Sequence, residues 1–348
     1  MISRDNYTEQ HIRALQAASK GDPSLIERTL YAFGLLEALA VVGLDFTFKG
    51  GTSLLLLLPK PKRLSTDIDI VVEPNTDITV YIEKASHIFP FTAMEEQKRV
   101  GKSNIVKRHF KFTYDSPIRR GPLYILLDVL FEENHYARTV ERDIANELLL
   151  TEGGNIKVRL PSVDCVLGDK LTAFAPHTTG IPLRAKKDLE VIKQFYDVST
   201  LIEHFEVFED VKRTYFAVSA AEMRYRGKQA SASQPLEDTI QAAVCIGSRG
   251  KIKTEDFTSY LQGTRDIVTH IYERGFNMEV ASTMAPQVIY MAACLLTDHP
   301  FERNVDMDAL RTERLTQKDL LSMKAFRRIP SHGYGYLVLA DRLLRDYR

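Results

Sequence analysis

Two apolar runs in the first half of the chain carry carboxylates where a strand built for burial should carry none. Asp67–Val72 reads DIDIVV. Side chains alternate across a strand, so Ile68, Ile70 and Val72 share one face while Asp67 and Asp69 share the other. Leu123–Phe131 reads LYILLDVLF and holds a single acid, Asp128. A lone buried carboxylate needs a partner, because removing it from water uncompensated costs several kcal/mol or more. A sheet with one packed face and one acid-bearing face meets both requirements. Composition allows it: of 348 residues, 44% are apolar and 26% charged, which excludes disorder for most of the length and suits about two domains.

Other segments fill in an α+β pattern. Residues 1–23 form a polar arm or short helix. Ser24–Val42 has helical spacing, with Ser24 as expected cap and Glu27 three residues on. A short strand over Asp45–Lys49 precedes Gly50-Gly51, and the five leucines after Ser53 suit a buried helical turn ended by Pro59. Residues 77–89 suit a helix. Val106–Tyr114 alternates, with Phe110, Phe112 and Tyr114 opposite Lys107, His109, Lys111 and Thr113. Ile156–Leu160 makes a further strand, and from Pro161 the pattern turns helical. The expected division is a first domain over 1–200, with a mixed sheet flanked by helices and an N-terminal helical arm, and an all-helical domain over 201–348.

Lys+Arg and Asp+Glu both number 46, so a globally basic nucleic-acid coat is excluded. Residues 98–120 are locally basic: Lys98, Arg99, Lys102, Lys107, Arg108, Lys111, Arg119 and Arg120 stand against Asp115 alone. That stretch is a candidate wall of an RNA groove, or a solvated strand edge. The three cysteines are far apart and show no metal-ligand spacing, which favours a reducing compartment. No apolar run nears 18 residues and the N-terminus has no apolar signal core, so the expectation is a cytoplasmic protein with no membrane partner.

The densest chemistry lies in Lys49-Gly50-Gly51-Thr52-Ser53 followed by Arg63-Leu64-Ser65-Thr66-Asp67-Ile68-Asp69. Paired glycines let backbone approach a phosphate closely, and hydroxyls and amides at a helix start can bond anionic oxygens. Two carboxylates converging on one small volume repel each other unless a hard divalent cation lies between them. Two such ions about 3.5–4 Å apart would clamp an in-line phosphoryl displacement. Asp128 can supply the third acid.

This ordered set, KGGTSL then RLSTDIDIV then Asp128, resembles the polymerase-β-type nucleotidyltransferase fold. Over roughly residues 25–205 it resembles the AbiEii/AbiGii family, the toxin half of abortive-infection toxin–antitoxin pairs. That family carries a later lysine and a basic-Asp helix, matched here by Asp169-Lys170-Leu171-Thr172-Ala173-Phe174 and Arg184-Ala185-Lys186-Lys187-Asp188, with Asp197 further along. The resemblance implies a nucleotidyltransferase that moves a nucleoside monophosphate from an NTP to an acceptor hydroxyl, with Mg²⁺ or Mn²⁺. In that reading Asp67, Asp69 and Asp128 hold metal, and Lys170 and Asp188 join them in catalysis. Lys49, Gly50, Gly51, Thr52, Ser53, Arg63, Ser65 and Lys187 contact the nucleotide. It also implies an RNA acceptor, the tRNA 3′ end, and a cognate antitoxin.

Simpler readings stand beside these. Gly50-Gly51 can be a tight turn, Asp67 and Asp69 a solvated strand face, and Asp128 an acceptor from a neighbouring helix start. Lys170 can be a snorkelling surface lysine and Asp188 a helix-surface acid. The histidines form no metal motif and read as structural or surface groups. Competing functions are transfer to a small molecule or a protein, and non-catalytic binding of nucleotide or antitoxin on the same scaffold. A kinase-like reading finds no GxGxxG, HRD or DFG in support.

Overall fold

The computed structural model describes residues 1–19, 21–97, 106–227, 231, 233–272, 275–329 and 331–347. After α1 (Glu9–Ser19), α2 (Pro23–Val41) begins at a proline whose fixed φ suits a first helical position. Its cap is therefore Asp22, whose carboxylate accepts from the Ser24 and Leu25 amides, and not Ser24. β1 (Thr47–Lys49) runs directly into α3 (Gly50–Leu57). Then come β2 (Ile68–Val72), α4 (Thr79–Ser86), β3 (Phe91–Gln97), β4 (Lys107–Ser116), β5 (Gly121–Phe131), β6 (Thr139–Asp143) and β7 (Lys157–Pro161).

The seven strands form one mixed sheet in the order β3-β4-β5-β2-β1-β7-β6. β2 pairs parallel with β5 and β1 parallel with β7, and the other neighbours are antiparallel. Its packed face carries Phe48, Ile68, Ile70, Val72, Phe110, Phe112, Tyr114, Ile125, Leu127 and Val129, all buried. α2 and α4 cover that face, and Tyr31 of α2 stacks on Tyr114 with ring centroids 3.6 Å apart. The alternation expected for β4 holds. The antiparallel strands β3 and β6 had no clear sequence signal: β3 is mostly exposed and β6 is a sheet edge.

By compactness the chain divides into Met1–Ser162 with Thr269–Arg274, and Val163–Val268 with Gly275–Arg348. The break falls before α5 (Val163–Ala173), not near residue 200. α5 packs on α6 (Asp188–His204) and α7 (Phe208–Tyr225), so these helices group with the helical unit and not with the sheet. The short return over 269–274 was not legible. It joins the sheet unit through main chain, with Leu64 N–H donating to His270 O at 2.7 Å and Tyr272 N–H to Lys62 O at 3.0 Å.

The helical unit continues with α8 (Ser233–Gly247), α9 (Thr254–Asp266), α10 (Met278–Leu296), the single turn α11 (Lys318–Leu321) and α12 (Gly333–Asp346). α10 is long and apolar enough to cross a membrane, with mean hydropathy 1.3, but 67% of that window is buried. It packs on α6, α8 and α12 and forms the centre of this unit. All three cysteines are buried free thiols.

Candidate active site

Residues paired across neighbouring strands present their side chains on the same sheet face. Asp69 of β2 pairs with Asp128 of β5, Lys49 of β1 pairs with Asp69, and His109 of β4 pairs with Asp128. One row across four strands therefore reads His109–Asp128–Asp69–Lys49, on the face opposite the aromatic core. The two acids stand side by side in the middle, flanked by an imidazole and an ammonium. Like charges placed directly opposite destabilise a sheet, and the flanking groups offset part of that repulsion. His109 Nδ1 lies 2.6 Å from Asp128 Oδ1. The Lys49 ammonium lies over the Tyr136 ring, 5.7 Å from its centroid.

The start of α3 closes against this row. Gly50 has φ +81°, a conformation side chains rarely adopt, and a Cβ there would sit 2.0 Å from Asp69 Oδ2. A Cβ on Gly51 would sit 2.6 Å from Arg63 Nη2 and 2.9 Å from Ser65 Oγ. The two glycines thus let Asp69, Arg63 and Ser65 lie against the first turn of α3. The first four N–H groups of a helix lack intrahelical partners and its N-terminus carries partial positive charge, so this end suits an anion. Thr52 and Ser53, expected to hold phosphate through their hydroxyls, are fully buried and turned inward. Thr52 Oγ1 donates to Asp67 O at 2.6 Å and Ser53 Oγ to Gly50 O at 2.8 Å. The hydroxyls tie the helix start to the acid strand, and what the turn offers an anion is main chain.

Asp67 stands one residue before β2, half exposed, with Arg28 Nη2 of α2 at 3.7 Å from its Oδ1. Among the described residues no group of three or more His, Cys, Asp or Glu side chains is arranged to hold a metal ion. Asp67 faces Arg28 and Asp128 faces His109 in this arrangement. The part of the expected ligand set that fits a hard divalent cation is the in-register pair Asp69–Asp128, oxygen donors on one open face beside the Gly50 cradle.

Lys170, Lys187 and Asp188 belong to the helical unit. Lys170 is buried, not snorkelling: its ammonium pairs with buried Asp197 at 3.0 Å and donates to Gln194 Oε1 at 2.9 Å. Lys187 is exposed at the N-cap of α6, and Asp188 is its first residue. Asp188 Oδ1 is buried with no hydrogen-bond partner. Gly263 of α9 lets that helix press onto the Asp188 carbonyl, where a Cβ would come within 2.2 Å.

The basic stretch is split. Lys107 and Lys111 share the face of His109, and Lys111 lies 4.4 Å from the Tyr124 ring centroid. Arg108 is on the opposite face, forked onto Glu96 at 2.8 and 2.9 Å, and so leaves the expected wall. Arg119 and Arg120 are exposed in the turn before β5, and Lys98, Arg99 and Lys102 lie outside the described residues. His109 and Arg28 were the residues missed. Alternation put His109 on the polar side of its strand, but its meeting with Asp128 depends on register, which alternation does not give.

A mixed sheet with paired acids beside a glycine-opened helix start is the arrangement that the resemblance to nucleotidyltransferases implies. The family described as "Nucleotidyl transferase AbiEii toxin, Type IV TA system" matches residues 34–270, and the chain belongs to it. That match extends past residue 205, into the helical unit. No curated protein matches the chain. Two solved structures from Helicobacter pylori are similar. JHP933 is 14% identical with TM-score 0.42, covering 78% of this chain and 93% of that one. A candidate nucleotidyltransferase is 12% identical with TM-score 0.45, covering 78% of this chain and 96% of that one. At these scores neither bears on the reading below.

Proposed function

We propose that this toxin transfers a nucleoside monophosphate from an NTP to an RNA hydroxyl, the 3′ end of tRNA, in the cytoplasm, and is held in check by a cognate antitoxin. The acceptor oxygen bonds the α-phosphorus, the α–β bridging bond breaks, and pyrophosphate leaves. The observation that carries this reading is the Asp69–Asp128 pair set in register against the glycine-opened start of α3. Asp69 and Asp128, joined by Asp67, would hold Mg²⁺ or Mn²⁺. Bound there, the ion would neutralise charge on the triphosphate and lower the pKa of a nearby hydroxyl. His109 orients Asp128, and Asp128 accepts the proton of the attacking hydroxyl. The first turn of α3 receives the β- and γ-phosphate oxygens on main-chain N–H, with Arg63 and Ser65 beside it. The family resemblance also assigns Lys170, Asp188 and Lys187 to the reaction; these residues lie in the helical unit, where the Lys170 ammonium is paired with Asp197.

Incubation with Mg²⁺, each α-labelled NTP and total cellular RNA tests the reading. Label on tRNA, lost in Asp69→Asn, is the expected result. Label only on a small molecule or on a protein would replace the acceptor, and no transfer from any NTP would overturn the activity.

A further inference from the structure

We propose that a cleft in the C-terminal part of the helical unit binds the phosphate backbone of the RNA acceptor. The cleft has a volume of about 710 Å³ and is lined by Arg314, Leu315, Leu321, Lys324, Ala325, Arg327, Arg328 and Tyr334. Leu315 and Tyr334 are buried and form an apolar floor. Arg314, Lys324, Arg327 and Arg328 are exposed around it, and no carboxylate lines it.

The walls are braced while the cations are not used. Arg311 donates to the carbonyls of Arg327 and Ile329 at 2.9 Å each and of Ser331 at 2.8 Å, which fixes the chain bearing Arg327 and Arg328. Tyr334 Oη donates to Glu313 O at 2.8 Å. The Asp341 carboxylate, buried, accepts from the amides of Thr316 and Gln317 at 2.8 and 2.7 Å and from the Thr316 hydroxyl. Among the described residues none of the four rim cations pairs with a carboxylate. Elsewhere in this unit arginines are used internally, as Arg226 is on the carbonyls of Thr178 and Gly180.

Residues 309–328 hold six Lys or Arg against two acids in a chain of zero net charge. Unpaired like charges on a braced rim repel one another, and an anionic ligand removes that cost. Three of the four cations are arginines, whose planar fork matches phosphate oxygens in two-point contact. An apolar floor under a phosphate-binding rim suits a nucleotide chain, whose bases and sugars bury while the backbone meets the rim. The choice of RNA over an acidic protein rests on the proposed transfer to an RNA acceptor.

The test measures tRNA binding by the full chain across a salt series, in wild type and in Lys324→Ala/Arg327→Ala/Arg328→Ala. These side chains are exposed, and an unchanged melting temperature verifies the fold. Single-strand contacts contribute a slope of about −0.7 in log K against log salt per neutralised phosphate, so the triple variant should flatten the slope by about 2. Its affinity at low salt should fall at least tenfold, while Mn²⁺-nucleotide binding stays as in wild type. Wild-type slope and affinity in the variant would overturn the cleft as an RNA site while leaving the transfer reaction intact. If wild type labels tRNA in the transfer assay but the variant instead loses binding to an acidic partner protein and not to tRNA, the cleft belongs to that partner. If wild type labels no RNA at all, the reading under Proposed function fails first, and the cleft's assignment to RNA fails with it.

Discussion

The core of the helical unit and the acid row of the sheet unit treat charged side chains in opposite ways. In the helical core Lys170, Asp197 and Asp164 are buried and partnered. Lys170 lies between Asp197 and Gln194, and Asp164 takes the amides of Glu206 and Val207. In the sheet unit His109, Asp128, Asp69 and Lys49 stand in one row on a partly open face, with two carboxylates adjacent. Saturation of a buried charge defines structure. In the row two carboxylates stand adjacent between an imidazole and an ammonium, and the proposed function assigns a divalent cation to them.

The largest expected effect follows from that row. Asp69→Asn should lower transfer from α-labelled NTP by more than 10²-fold with little change in melting temperature, since the side chain faces away from the core. A melting temperature that falls with activity would instead make the row structural. Lys170→Met should do the reverse of a clean site variant. It strands the buried Asp197 charge and should cost about 3–5 kcal/mol of stability, read by urea denaturation. Lys170→Met/Asp197→Leu should recover most of that. If transfer stays lost once stability returns, Lys170 acts on the nucleotide as well as on Asp197.

His109→Ala should weaken Mn²⁺ affinity about tenfold, the lower end of what removing the partner of a metal-bound group costs, while His109→Asn keeps a donor and much of the affinity. Equal losses in both variants would argue against orientation of Asp128 by a donated hydrogen bond.

The smallest effect comes from the packed face. Glu27 of α2 is fully buried and neither of its oxygens reaches a hydrogen-bond partner. Burial pushes its carboxyl up from the ordinary glutamate value, against the smaller pulls of the Ser116 hydroxyl and the Arg119 charge. A carboxyl whose folded pKa is raised favours folding most at pH below its unfolded value, and that contribution fades as pH rises through the folded value. Glu27→Gln should therefore stabilise the protein at neutral pH, by about 1 kcal/mol, and lose that advantage near pH 4. Melting temperatures at the two pH values decide it. An equal change at both would show that the carboxyl's charge is not what matters.

Much of this was readable from residues alone. The faces of β4, the buried turn after Gly50-Gly51, and the acid-bearing strands follow from alternation and from two glycines whose positions permit close approach. Register was not readable. That Asp69 lies opposite Asp128, and Asp128 opposite His109, is set by how three strands line up, and a shift of one residue would have turned every side chain to the other face. The fate of the Thr52 and Ser53 hydroxyls was equally hidden, because each can bond inward or outward from the same sequence. From sequence Lys170 reads as a catalytic lysine or, more simply, a surface one; its burial against Asp197 was hidden because that partner lies one helix away.

Titration of the protein with Mn²⁺ in the presence of a non-hydrolysable NTP analogue, followed by electron paramagnetic resonance, tests the central claim most directly. The account predicts bound Mn²⁺ in wild type, and loss of at least tenfold in affinity in Asp69→Asn and Asp128→Asn alike. Wild-type Mn²⁺ affinity in both variants would contradict it, because the paired acids would then not be where the metal–nucleotide binds.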